Sequence, residues 1–548
     1  MSSRKASDLF VECLEAEGVK YVFGIPGEET LDLNESLQDS SITFVPVRHE
    51  QGGAYMADMY GRLTQRAGVC LGTLGPGATN LITAVADAFL DRSPLVALTG
   101  QADLQRMHKE SHQHIDVVSM FRPVTKWNTR LNAAAVIPEV VRKAFKVAQE
   151  PKPGPTHIEL PEDVMADPVE GEPLPARTTS RRLEPSAYEL LAAADIIRGA
   201  INPIILAGNG VARGGAAPAL RELARATGIG VAETFMGKGA LDYQDLQALG
   251  TVGLQSRDYA LAGFEDADVV ITVGYDLVEH APSNWNPKRD KKIVCIDSVP
   301  SEVDEHFVTE IDLVGDLYHI LSRLTEELRH APHEVRPSRL DEIVLGRFEA
   351  AKDDDAFPMQ PPRALWEIRQ ALGRDDVLIS DVGLHKLWIA RMFPAHEPNT
   401  VLIANGLAGM GIALPTAIAA KLVHPRRNVV TVNGDGGFLM NVQELETAVR
   451  LRTPIVNVLW ENSQFGSIVW KQDKKFGRHF GTDFSNPDFV KLADAFGMPA
   501  WRCEAVEDLG SHLRHALSLD VPSLIVVPID YSLDVSISEE LGTETVAA

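Results

Sequence analysis

Two residues in the last third of the chain have the types and spacing for chemistry. Asp435, flanked by Gly434, Gly436 and Gly437, ends the apolar run "RNVVTVNGDGG", and Asn462 ends the next run, "PIVNVLWEN". One carboxylate and one amide oxygen make a poor cage for a bare cation. They suit Mg2+, which takes oxygen ligands and completes its octahedron with phosphate and water. The glycines let backbone N–H groups approach phosphate oxygens. The stretch reads as a metal-bridged diphosphate site. A purely structural alternative is that Asp435 caps a helix and Asn462 closes a turn, common behaviour at strand-to-helix junctions.

For the chemical reading the two residues must meet, and the intervening pattern provides for it. The β-branched run "RNVVTVNGD" is followed by Phe438, Val442, Leu445 and Val449 at helical spacing, and then by the strand-like "TPIVNVLW". A right-handed βαβ unit with these parts places both strand C-termini on one sheet edge, where open parallel sheets bind ligands. The rhythm recurs along the chain. "KYVFGIPG", "ITFVPVRHE", "AGVCLGTLGPG" and "SPLVALTG" carry it first, "PIILAGNGVARGGA", "ADVVITVGYD" and "KKIVCIDS" next, and "DDVLISDVG" and "SLIVVPIDYS" complete the last stretch. The fold class is α/β with three parallel-sheet domains, over 1–166, 190–330 and 362–535. Polar or Pro-rich linkers at 167–189 and 329–365 separate them, and the closing "SISEELGTETVAA" reads as a frayed tail.

Composition narrows the function. A chain of 548 residues exceeds one hydrophobic core. The formal charge of −24 argues against nucleic acid as a partner, because that affinity comes from Lys and Arg neutralising phosphates. Cys13, Cys70, Cys295 and Cys503 lie far apart without CxxC spacing, which indicates neither zinc nor a disulfide framework and fits a reducing cytoplasm. The start has no apolar stretch long enough for a secretory signal and the chain no run of about 18 apolar residues, so neither a signal nor a membrane span is expected.

The Gly-Asp-Gly followed by Asn462 resembles the thiamine diphosphate (ThDP) enzyme signature. Further stretches are similar to its acetolactate synthase branch: "FGIPGE", "RHEQGGAYMADMYGR", "LGPGATN", "RPVTKWN", "IELPEDV", "NGLAGMGIALPTAIAAKL" and "DFVKLADAFG". The resemblance implies a pyrimidine-binding domain, a central Rossmann-like domain and a diphosphate-binding domain. It also implies a homodimer or homotetramer, with each cofactor between the first domain of one subunit and the third of another. The implied activity is a carboligase that decarboxylates pyruvate and adds the hydroxyethyl carbanion to a second 2-keto acid.

The resemblance also distributes roles. Glu50 matches the glutamate that hydrogen-bonds the pyrimidine ring and drives its amino group to the imino form; a first-turn acid favoured by the helix dipole is the plainer alternative. Met410, between Gly409 and Gly411, matches the apolar residue that bends the cofactor, although methionine is also a common gap-filler in cores. Pro26, Asn80, Gly383, Leu384 and His385 match cofactor contacts, as do Phe465 and Gly466. Asp435, Asn462 and the Gln464 carbonyl match the Mg2+ ligands. Gln113 matches a glutamine near the reacting carbon.

Departures from the family are visible too. His112 and His114 replace apolar neighbours; as acids they would favour release of an aldehyde, which makes a 2-keto acid decarboxylase the alternative, or they are solvated surface residues. Glu28, Glu29 and Thr30 fill a loop where certain acetolactate synthases carry a lysine. Anabolic members hold FAD near an Arg-Phe-Asp-Asp-Arg type segment, but "VGYDLVEHAPSNWNP" stands here, so FAD is expected to be absent. "GNGVARGG" (208–215) is a lone glycine-rich turn and weak by itself.

Overall fold

The computed structural model describes residues 4–176, 183–254 and 256–533. The expected tail and residues 177–182 of the first linker lie outside the described residues. Three six-stranded sheets, each wholly parallel, organise the chain. Their central strands are buried along their length, as in "GVCLG", "VVITV" and "LVALTGQ". Strands covered on both faces read as continuous apolar runs instead of alternating ones.

The first sheet has the spatial order Thr43–Pro46, Tyr21–Gly24, Gly68–Gly72, Leu95–Gln101, Pro155–Pro161, Trp127–Arg130. It belongs to a compact unit of residues 1–180, 406–426 and 438–455. Helix α1 (Glu50–Thr64) is buried from Gly52 to Arg62, and its glycines permit that depth. At Gly61, a Cβ would stand 2.1 Å from the Pro94 carbonyl oxygen. Helix α2 (Pro76–Leu90) opens on a proline, whose fixed φ and missing N–H suit a first helical position. Helix α2 packs against α1, and helix α3 (Ala413–Val423) lies against α1 as well. Helix α4 (Glu444–Leu451) completes this unit.

The second compact unit, residues 181–405, 427–437 and 456–548, holds the other two sheets. One runs Ala248–Thr251, Gly230–Glu233, Pro203–Ala207, Val269–Val273, Lys292–Asp297, Ile311–Val314. The other runs Val401–Ile403, Val377–Ser380, β1 (Val429–Gly434), β2 (Val456–Glu461), Ser523–Pro528, Ala500–Arg502.

Two local readings change. The stretch after Asp435 is not one helix: a turn at Asp435–Phe438 is separated from α4 by residues 439–443, where the Asn441 side chain donates to the Gly411 carbonyl at 2.8 Å. A side chain engaged with another segment thus competes with continued helix. The linker at 329–365 contains a 12-residue helix, Arg339–Ala350, capped by Ser338. Its Leu340, Val344 and Phe348, four residues apart, bury one stripe that the surrounding prolines and charges obscure in the sequence. All four cysteines are buried and none forms a disulfide. Among the described residues no helix is long and apolar enough to cross a membrane.

Candidate functional site

In the second unit, parallel pairing of β1 with β2 sets Gly434 opposite Trp460 and brings Asp435 and Asn462 to one sheet edge. Asp435 is 1% exposed. Its Oδ2 accepts N–H bonds from the Asn462 backbone (2.9 Å), the Ser463 backbone (2.6 Å) and the Asn486 side chain (2.9 Å), while Oδ1 accepts from the Gly436 backbone at 2.9 Å. Four donors fix the carboxylate's direction. The Gln464 side chain donates to Asp483, its carbonyl accepts from Gly466, and the Phe465 N–H donates to Thr482. The 462–466 loop is therefore pinned by residues 482–486.

His385, at the start of the helix Leu384–Met392 behind Gly383, is buried against the same edge. Its ring bonds the Asp381 carbonyl, and its buried Nε2 has no partner. Burial pushes the imidazole down to about 3, so the ring is neutral. With Nδ1–H committed to a carbonyl, Nε2 presents a lone pair; donating to a phosphate oxygen requires a further proton, which nearby anionic charge favours. The glycines beside it leave no room for side chains. A Cβ on Gly434 would lie 3.0 Å from the His385 ring, and one on Gly437 would lie 2.7 Å from Asp381 Oδ2.

The residues fit a diphosphate held through Mg2+. The fit rests on an orphaned buried nitrogen, a glycine-lined strand edge and an oriented carboxylate with amide and carbonyl oxygens close by. Among the described residues there is no group of three or more His, Cys, Asp or Glu that could hold a metal. A site relying on one carboxylate does not need such a group.

In the first unit, Glu50 is the first residue of α1 and is 7% exposed. Its Oε2 accepts from the Asn80 side chain on α2 at 2.9 Å. Pro26 lies in the exposed turn after the strand Tyr21–Gly24. Gln113 is exposed with φ +56°, and its carbonyl oxygen lies 2.5 Å from where Gly75, at φ +53°, would carry a Cβ. Glu50, Asn80 and the 73–77 turn thus gather beyond the strand ends of this sheet. His114 Nδ1 meets Gln101 at 3.1 Å, and Gln101 in turn donates to buried Glu159 at 2.7 Å, whereas His112 is exposed. In the acidic loop, Glu29 accepts from the Thr73 hydroxyl at 2.7 Å.

Met410 is half-buried on the loop before α3, where Ala408 has φ +58° and Gly411 φ +84°. This loop is held from outside. Asp91 Oδ1 accepts the Gly406 N–H at 2.7 Å, and Asp87 Oδ1 accepts that of Gly409 at 3.3 Å. At Gly409 a Cβ would sit 2.1 Å from the Tyr55 hydroxyl oxygen. Burial pushes the Asp87 carboxyl well up, reinforced by the charges of Asp91 and Asp58. Sequence reasoning missed Asp87, Asp91, Asn441 and Glu444. Acids four apart on a helix ordinarily face solvent, and only the buried loop opposite reveals otherwise.

The family described as "Thiamine pyrophosphate enzyme" matches in three blocks: its N-terminal TPP binding domain over residues 4–120, its central domain over 190–324 and its C-terminal TPP binding domain over 381–527. The chain is 34% identical to the acetolactate synthase of Bacillus subtilis (strain 168), over 98% of the chain and 95% of that protein. It is 36% identical to the catabolic acetolactate synthase of Raoultella terrigena, over 96% and 95% respectively. Similarity to the acetolactate synthase isozyme 2 large subunit of Escherichia coli (strain K12) is 32%, over 95% of the chain and 94% of that protein.

Proposed function

The chain belongs to the thiamine pyrophosphate enzyme family, with acetolactate synthases among its relatives, and on that premise we propose that it is a ThDP- and Mg2+-dependent carboligase. It decarboxylates pyruvate and joins the two-carbon unit to a second 2-keto acid. The observation that carries this reading is the Asp435–Asn462 juxtaposition beyond two paired parallel strands.

When bound, ThDP supplies a thiazolium that accepts the electron pair released with CO2. The chain's residues do the rest. Asp435, the Asn462 side-chain oxygen and the Gln464 carbonyl would hold Mg2+, while Gly434, Gly436, Gly437, Gly383, Leu384, His385, Phe465 and Gly466 would line the diphosphate. Glu50, oriented by Asn80, holds a proton at its carboxyl for exchange with the pyrimidine. Met410, Gly409 and Pro26 would orient the ring system by packing, and Gln113 would serve at the reacting carbon.

FAD is not part of this reading, and the central sheet offers a physical reason. The N–H of Gly208 bonds the Val273 carbonyl, that of Gly210 bonds Gly274, and that of Asn209 bonds the buried Glu279 carboxylate. The protein's own acceptors thus take the turn amides that a nucleotide phosphate would use. The reading includes three domains at 1–166, 190–330 and 362–535, a cytoplasmic location, and a homodimer or homotetramer with active sites shared between subunits. His114 is oriented by Gln101 through Nδ1, and an aldehyde-releasing 2-keto acid decarboxylase is the alternative that product analysis decides.

The test is product analysis of the purified chain with ThDP, Mg2+ and pyruvate. Acetolactate is the expected product; acetaldehyde without acetolactate would overturn the carboligase reading.

A further inference from the structure

We propose that Glu444 is a positioning residue for Glu50; the inference rests on the reading of Glu50 as the carboxyl that faces the cofactor. The N-terminus of α1 has to be satisfied, because the first N–H groups of any helix lack intrahelical acceptors. Part of that demand is local: the His49 side chain accepts from the Gln51 N–H at 3.1 Å. The chain leading into the helix is held by a residue almost 400 positions away. Glu444 Oε1 accepts the backbone N–H of Arg48 at 3.0 Å and that of His49 at 3.1 Å, the two residues immediately before Glu50.

Glu444 is itself tightly held. It is 0% exposed, and its other oxygen accepts the Thr447 hydroxyl at 2.6 Å. Gly52 follows from the same contact: a Cβ there would stand 2.7 Å from Glu444 Oε1. One buried carboxylate therefore fixes the main chain leading into Glu50, while Asn80 fixes the end of its side chain. Between them, backbone and tip are set, leaving the Glu50 rotamer little freedom. A group that must exchange a proton in a defined direction gains from this orientation.

A simple helix cap would have the same contacts but a different consequence, since it would stabilise α1 without affecting proton exchange at Glu50. The experiment compares wild type, Glu444→Ala, Glu444→Gln and Thr447→Val in the full chain. Three quantities are read: amide hydrogen exchange at Arg48 and His49 without cofactor, ThDP affinity by calorimetry, and the rate at which bound ThDP exchanges its C2 proton with solvent deuterium.

For Glu444→Ala we expect faster amide exchange, ThDP affinity changed less than about threefold, and C2 exchange slowed about tenfold or more. Glu444→Gln keeps an acceptor oxygen and restores most of the C2 rate. Thr447→Val, which keeps the carboxylate but loosens it, falls between and serves if Glu444→Ala does not fold. Faster amide exchange with an unchanged C2 rate would overturn the proposal in favour of a cap. Failure of wild type to bind ThDP would instead overturn the underlying reading, and this inference with it.

Discussion

Asp91 and Gly406 are joined by a 2.7 Å hydrogen bond from a main-chain N–H to a buried carboxylate, and this bond anchors the loop that carries Met410. Asp91 also lies 3.9 Å from Arg62, so the anchor is part of a buried charge group. Asp91→Ala strips the acceptor from Gly406 and leaves Arg62 without that partner. We expect a loss of about 1–3 kcal/mol in unfolding free energy by urea titration. Asp91→Asn, which can still accept from Gly406, should lose less. Equal losses for the two variants would contradict the anchoring role.

Asp435 has a separate consequence, because its carboxylate holds the 462–463 backbone and is proposed to bind Mg2+ as well. Asp435→Ala should weaken ThDP binding by 10–100-fold or more, the range seen when support for a metal site is removed. Chelating Mg2+ from the wild type should give the same defect. Excess Mg2+ reverses the second and leaves the first unchanged; calorimetric titration distinguishes them.

For Glu50 the expected outcome is a split between binding and turnover. Glu50→Gln keeps an oxygen for Asn80 and nearly the same shape, but an amide cannot pass a proton. Turnover of pyruvate should fall by about 10²–10⁴-fold, with ThDP affinity close to wild type. Wild-type turnover in this variant would remove Glu50 from the chemistry.

The strands that carry these residues were legible because central parallel strands are uninterrupted apolar runs: "VVTVNG", "VNVLWE" and "LVALTGQ" announce themselves. Two edge strands were not. Trp127–Arg130 and Ala500–Arg502 are short, half-exposed and without a run to mark them. The Asp435–Asn462 meeting could be derived because both lie at ends of neighbouring parallel strands. Glu444, Asp87 and Asp91 could not, because each acts through a hydrogen bond to main chain remote in sequence, and neither local periodicity nor residue type encodes such a partner.

Glu279 offers a prediction in pH. Its buried carboxylate accepts from the Asn209 N–H at 3.1 Å, the Asp276 N–H at 3.2 Å and the Thr234 hydroxyl. Burial pushes the carboxyl up from 4.5 to about 7. A folded-state value above the unfolded one means the native chain keeps its proton to higher pH. The associated stability is fully present below about 4.5 and is lost as pH rises through about 7. Asp58 and Glu233, both pushed up to about 7, act in the same direction. Buried His157 and His385, held down to about 3, and His280, to about 4, act in the opposite one. Only a difference between variant and wild type isolates Glu279. Glu279→Gln stays neutral throughout, and the Thr234 hydroxyl can turn to accept from its amide. Its stability relative to wild type should therefore rise by about 1–3 kcal/mol between pH 5 and pH 8. Urea unfolding at the two pH values measures this, and a difference that does not change with pH would mean that Glu279 carries no proton in the native state.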